Sequence, residues 1–113
     1  MDRDELIKYG KYYTESGFWS KLRNSAGKAG CEIVKNALIL FYAISNASPS
    51  EKAIIIGALG YFILPFDLFP DLIPVTGYTD DANWLAFAIK EAKNAATPQV
   101  IAKAERTVKE WFG

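Results

Sequence analysis

The chain has 113 residues, 50% hydrophobic and 23% charged, with 13 basic and 13 acidic side chains and a net charge of zero. That length favours one domain, 1–113, able to bury a core without disulfide or metal staples. The charge balance argues against a nucleic-acid binder, which carries a basic excess, and against an acidic disordered chain.

No histidine is present, which removes Ser-His and Cys-His nucleophiles and the usual zinc ligands and shifts the expectation away from an enzyme. Cys31 is the sole cysteine, so no internal disulfide forms and a reducing, cytoplasmic setting is the simpler expectation. The polar opening Met1-Asp2-Arg3-Asp4-Glu5 does not read as a secretory signal.

Asp2, Asp4 and Glu5 suit a first helical turn, and Leu6, Tyr9 and Tyr13 follow at helical spacing. This predicts a short helix over 3–13, weakened by Gly10, with a turn at Glu15-Ser16-Gly17. From Phe18 and Trp19 through Leu22, Ile33, Ala37, Phe41 and Ile44, apolar residues recur at three- and four-residue steps. They mark one face of a long helix, 18–46, with Lys21, Arg23, Lys28, Glu32 and Lys35 on the other. Gly27 and Gly30 weaken its middle and permit a kink or a break into two helices. Cys31, placed within it, reads as a small buried hydrophobe.

Ser48-Pro49-Ser50-Glu51 is a capping box with proline at the first helical position. The helix it opens, 50–64, is apolar on every side from Ala53 to Leu64 and must be buried all round or lie against lipid. That run falls short of the roughly 20 residues that span a bilayer. Pro65 stops the helix at Leu64. Asp67 to Ile73 allows one or two short turns capped by Asp67, and Pro74 ends them. Val75-Thr76-Gly77-Tyr78 is a turn, Thr79 an N-cap, and 80–96 a second very apolar helix. Thr97-Pro98 repeats the capping signal for an amphipathic helix, 98–112, with Val100, Ile101, Ala104, Val108, Trp111 and Phe112 on one face.

The expected architecture is therefore all-α: a small helical bundle in which a central apolar hairpin, 50–64 and 80–96, is joined by a Pro/Asp-rich break. The break gathers four acids, Asp67, Asp71, Asp80 and Asp81, with no base among them. Four carboxylates can bind magnesium or calcium through oxygen ligands. Each also stands at or just inside a predicted helix start, where it caps exposed N–H groups and meets the helix dipole. Phe66, Leu68, Phe69, Leu72, Ile73 and Val75 surround the acids, either as a lid over the hairpin or as an exposed patch for a partner or membrane. Trp19, Tyr42, Trp84 and Trp111 are candidate stacking rings, although aromatics at helical spacing are more often core.

The run Tyr61 to Asp81 resembles the YkvA-like family, a bacterial domain of unknown function with the pattern Y-x-I-x-P-x-D-L-I-P-D-x-I-P-x-x-G-x-x-D-D. Phe69 stands where the pattern more usually has Ile. The resemblance marks Pro65, Asp67, Pro70, Asp71, Pro74, Gly77, Asp80 and Asp81, and it brings no activity with it. It implies a module found beside membranes in some of its settings. The sequence thus leads us to expect a non-enzymatic interaction module at a membrane surface, on a protein partner or in a homo-oligomer, with no nucleic-acid role. A divalent-cation site, hydrolytic or not, on Asp67, Asp71, Asp80 and Asp81 is the alternative.

Overall fold

The computed structural model describes residues 3–25, 31–63 and 77–112, with the backbone alone at 3, 25 and 77–83. All regular structure among the described residues is helical, as expected. The order is α1 (Arg3–Ile7), a 3₁₀ turn (Lys8–Tyr12), α2 (Glu15–Ser25), α3 (Cys31–Ala43) running into a 3₁₀ turn (Ile44–Asn46), α4 (Pro49–Ile63), α5 (Gly77–Glu91) and α6 (Pro98–Phe112).

The two predicted proline-led caps form as read. At α4 the Ser48 amide donates to Glu51 Oε1 at 3.0 Å and the Glu51 amide donates to Ser48 Oγ at 3.3 Å. Both halves of the capping box are therefore made, satisfying N–H groups that the first turn leaves without partners. At α6 the Val100 amide donates to Thr97 Oγ1 at 3.3 Å.

Besides the first helix, expected over 3–13 and found as α-helix to Ile7 and then a 3₁₀ turn to Tyr12, three boundaries differ from the sequence reading. The expected turn at 15–17 is already helix, because Thr14 caps α2: its Oγ1 accepts the Gly17 amide at 3.0 Å. The expected helix 18–46 is not one rod. Phe18 of α2 stacks on Phe41 of α3 with ring centroids 4.6 Å apart and planes 5° apart. In a continuous helix those rings would stand roughly 35 Å apart, at about 1.5 Å per residue. The chain therefore reverses between α2 and α3, which is the break that Gly27 and Gly30 permit. Cys31 consequently opens α3 and is exposed, not buried as expected. The third difference is α5, which begins at Gly77 and ends at Glu91, with residues 92–96 in turns.

Packing explains why the two most apolar stretches need no lipid. In α3, Ile33, Val34, Ala37, Leu38, Ile39, Leu40 and Ala43 are buried, more than one helical face, because α3 packs against α2, α4, α5 and α6. In α4, Ile54, Ile55, Gly57, Ala58, Leu59, Gly60 and Phe62 are buried beneath the N-terminal segment, α2, α3 and α5. The hairpin partners α4 and α5 do pack together, with Leu85 and Ala88 of α5 in the common core. The bundle centre is shared with α3, however, which the sequence reading had set on the periphery.

The N-terminal segment lies across α4 at two glycines. A Cβ at Gly60 would collide with the Tyr9 carbonyl, its carbon only 2.8 Å away, and one at Gly57 would meet the Leu6 carbonyl carbon at 2.8 Å. Gly57 and Gly60, three apart, share a helix face, so their missing side chains form a notch that seats the backbone of residues 6–10. Leu6 is thereby fully buried.

Candidate functional site

The helices that flank the Pro/Asp-rich stretch in sequence, α4 and α5, pack together. Tyr61, near the end of α4, touches Trp84 of α5 edge-on at 6.1 Å. Tyr9 packs edge-on against the same Tyr61 at 5.0 Å, and Trp84 in turn meets Phe87 at 6.4 Å. These rings form a continuous aromatic row across the N-terminal segment, α4 and α5. The Tyr9–Tyr61 contact was not foreseen; its signal was the Gly57-x-x-Gly60 spacing, which invites a close neighbour.

Of the motif residues, Gly77, Asp80 and Asp81 fall within α5. Gly77 is its first residue rather than part of a preceding turn, so Thr79 lies inside the helix and is not its N-cap. Asp80 is the fourth residue of α5, within the first turn, where the partial positive charge of the helix start favours a carboxylate, and Asp81 follows in the second turn. Pro65, Asp67, Pro70, Asp71 and Pro74, with the apolar residues from Phe66 to Val75, lie outside the described residues, as do the side chains of Asp80 and Asp81. Among the described residues, no group of three or more metal-ligating side chains comes together.

The candidate stacking rings take structural places, with one exception. Trp19 is half-buried, edge-on to Phe41 at 5.1 Å. Tyr42 shares a 3.0 Å hydrogen bond with Thr107 Oγ1, and its ring lies 4.4 Å beneath Lys103 Nζ. Trp84 belongs to the row described above. Trp111, expected on the core face of α6, is 36% exposed, and Phe112 beside it is 43% exposed. Val108 is half-buried, and one turn on Trp111 packs against Trp19 with ring centroids 6.2 Å apart, so the expected stripe thins at the end of α6.

The side-chain polar groups are otherwise quiet. Among the described residues no buried side-chain nitrogen or oxygen lacks a hydrogen-bond partner. Tyr13 is held above its ordinary pKa of 10.0, first by burial and then by the negative charge of Glu15. Among the described residues, exposed large apolar side chains occur in two places: Ile7 at the N-terminal segment, 38% exposed, and Trp111 with Phe112 at the end of α6.

No curated protein and no solved structure matches the chain. Residues 51–87, about a third of it, match the model of a family described as a protein of unknown function, DUF1232: the matched stretch runs from the first turn of α4 through the break to Phe87 of α5.

Proposed function

We propose that this chain is a helical interaction module, not a catalyst, which acts by docking on a membrane surface or on a second protein chain. The observation that supports this best is the placement of its apolar side chains. A chain that buries most of the apolar side chains of α3 and α4 still leaves Ile7 and Phe112 exposed, with Trp111 partly exposed beside Trp19. The absence of histidine removes the commonest general base, which agrees with a non-enzymatic role. The finer identification with the YkvA-like family rests on the prolines and aspartates from Pro65 to Asp81, a run that falls within the matched stretch 51–87.

Light scattering across a concentration series, combined with vesicle flotation, tests the reading. Concentration-dependent association or vesicle binding is expected. A chain that stays monomeric and ignores vesicles of every composition refutes it.

The second reading is a magnesium or calcium site on Asp67, Asp71, Asp80 and Asp81. Its support is that Asp80 and Asp81 stand at the end of α5 that receives the break, in the same region of sequence as Asp67 and Asp71. Against it, the start of α5 already supplies a structural reason for acids there.

A further inference from the structure

Helix α4 is covered by two separate layers. Ile54, Ile55, Ala58, Leu59 and Phe62 are buried in the bundle core, where Phe62 meets Phe18 of α2 with ring centroids 6.3 Å apart. Ala53, Ile56, Gly57 and Gly60 face the N-terminal segment instead. A Cβ at Gly10 would lie 3.3 Å from Ile56 Cγ2, Gly57 and Gly60 seat the backbone of Leu6 and Tyr9, and Ala53 lines one shallow groove with Ile7. At about 100° per residue the two sets centre on opposite sides of the helix. The bundle therefore keeps its own face of α4 whether or not the segment is in place.

The segment is lightly fastened. Among the described residues it packs chiefly on α4, and no backbone–backbone hydrogen bond joins the two. Its 3₁₀ turn is bonded locally, and the Tyr13 amide closes it by donating to the Gly10 carbonyl at 3.0 Å. Leu6 is its one fully buried side chain among the described residues, while Asp4, Glu5, Ile7, Lys8 and Lys11 are exposed. Lifting it bares little of α4, because two seam residues are glycines and Ala53 and Ile56 are only half-buried already.

The junction with α2 suits a hinge. Tyr13 is extended, with φ −75° and ψ 129°, between the 3₁₀ turn and α2. Its side chain packs on the bundle core. Thr14 caps α2 through the Gly17 amide, so the start of that helix needs nothing upstream.

We propose that residues 3–12 are a strap that lifts from α4 as one unit about Tyr13 while α2 to α6 stay folded. This goes beyond the interaction-module reading and does not depend on it. Segments with few buried apolar side chains open at lower free energy than the core they cover. The open form presents Leu6 and the seam Ala53, Ile56, Gly57 and Gly60 to solvent, an apolar surface that the closed form hides.

The test is amide hydrogen exchange on the full chain, resolved by residue, with reclosing faster than exchange. The hydrogen-bonded amides up to Tyr13 share one opening constant, nearly independent of urea, and exchange more than about a hundredfold faster than those of Ala37 to Leu40 in α3. Ile39→Val, on α3, weakens the bundle equally with the strap closed or open. It speeds the α3 amides about fivefold and leaves the strap amides unmoved. Leu6→Ala speeds the strap amides about thirtyfold or more, because the lost packing exists only in the closed form.

Strap amides that answer to Ile39→Val as strongly as those of α3 overturn the proposal, since the segment then opens only with the whole bundle. Protection that climbs smoothly from the first residues to Tyr13 also overturns it, because that is fraying and not the lifting of a unit. Both results leave the interaction-module reading standing, as neither measures association.

Discussion

Adding a single methyl group at Gly60 should unseat the N-terminal segment from α4. In an exposed helix Gly→Ala stabilises by about 1 kcal/mol. Here the new Cβ meets the Tyr9 carbonyl, with its carbon 2.8 Å away and the Gly10 Cα at 3.3 Å, and backbone has no rotamer with which to yield. The segment must lift. Lifting exposes Leu6, fully buried and worth about 1.5–3 kcal/mol. It also breaks the Tyr9–Tyr61 edge contact, worth about 0.5–1.5 kcal/mol. Less the helix gain, the net loss is about 1–3.5 kcal/mol, lowering Tm by roughly 4–14 °C at about 4 °C per kcal/mol for a domain of this size. Urea unfolding followed by circular dichroism measures the loss. Trypsin reports its location, because a lifted segment opens the bonds after Lys8 and Lys11 to early cleavage. A Gly60→Ala chain as stable as the parent, with no faster cutting there, would refute the notch.

Ser48→Ala should cost about 1 kcal/mol in urea unfolding, since it removes the acceptor for the Glu51 amide; no change would mean that the cap is idle. Tyr13 should titrate above a free tyrosine when its phenolate absorbance is followed with pH. Because its folded pKa is raised, the neutral ring's contribution to stability is complete below pH 10.0 and fades as pH climbs through the folded value. Tyr13→Phe should flatten that alkaline decline, and an identical alkaline profile in the variant would contradict it. Asp80→Asn should cost about 0.5 kcal/mol through the α5 dipole, equally with and without magnesium. A magnesium-dependent rise in Tm that vanishes in Asp80→Asn would instead establish the cation site.

Local rules made much of this fold readable. Ser48-Pro49-Ser50-Glu51 and Thr97-Pro98 announce α4 and α6 because a cap is settled by residues three apart, whatever lies elsewhere in the chain. Thr14 obeys the same rule, although the nearby Gly10 and Gly17 carry the opposite, turn-like signal. Gly27 and Gly30 permit a break between α2 and α3, but the sequence does not decide between a kink, a break and a continuous helix. Apolar spacing continues across residues 26–30, and only the Phe18–Phe41 stack, a contact between distant parts of the chain, decides against a single rod. The burial of Val34, Leu38, Ile39 and Leu40 has the same origin. A sequence displays one amphipathic stripe, while the number of neighbours a helix acquires is a tertiary matter. At the candidate site, the prolines and aspartates of the break were legible as punctuation, and the structure places Asp80 and Asp81 at a helix start.

The notch at Gly57 and Gly60 bears on how far the hairpin can travel between proteins. It lies within the stretch 51–87 that matches the family of unknown function, but the strand of backbone that fills it comes from residues 6–10, outside that stretch. A protein that carries the hairpin alone therefore inherits a bare seam on α4 and has to close it with some other backbone. Grafted without a cover, the hairpin would behave as an unsatisfied half of an interface, and aggregation or recruitment of a foreign segment would follow. Portability of this unit depends less on its aspartates than on whether the host supplies a thin, glycine-compatible strap.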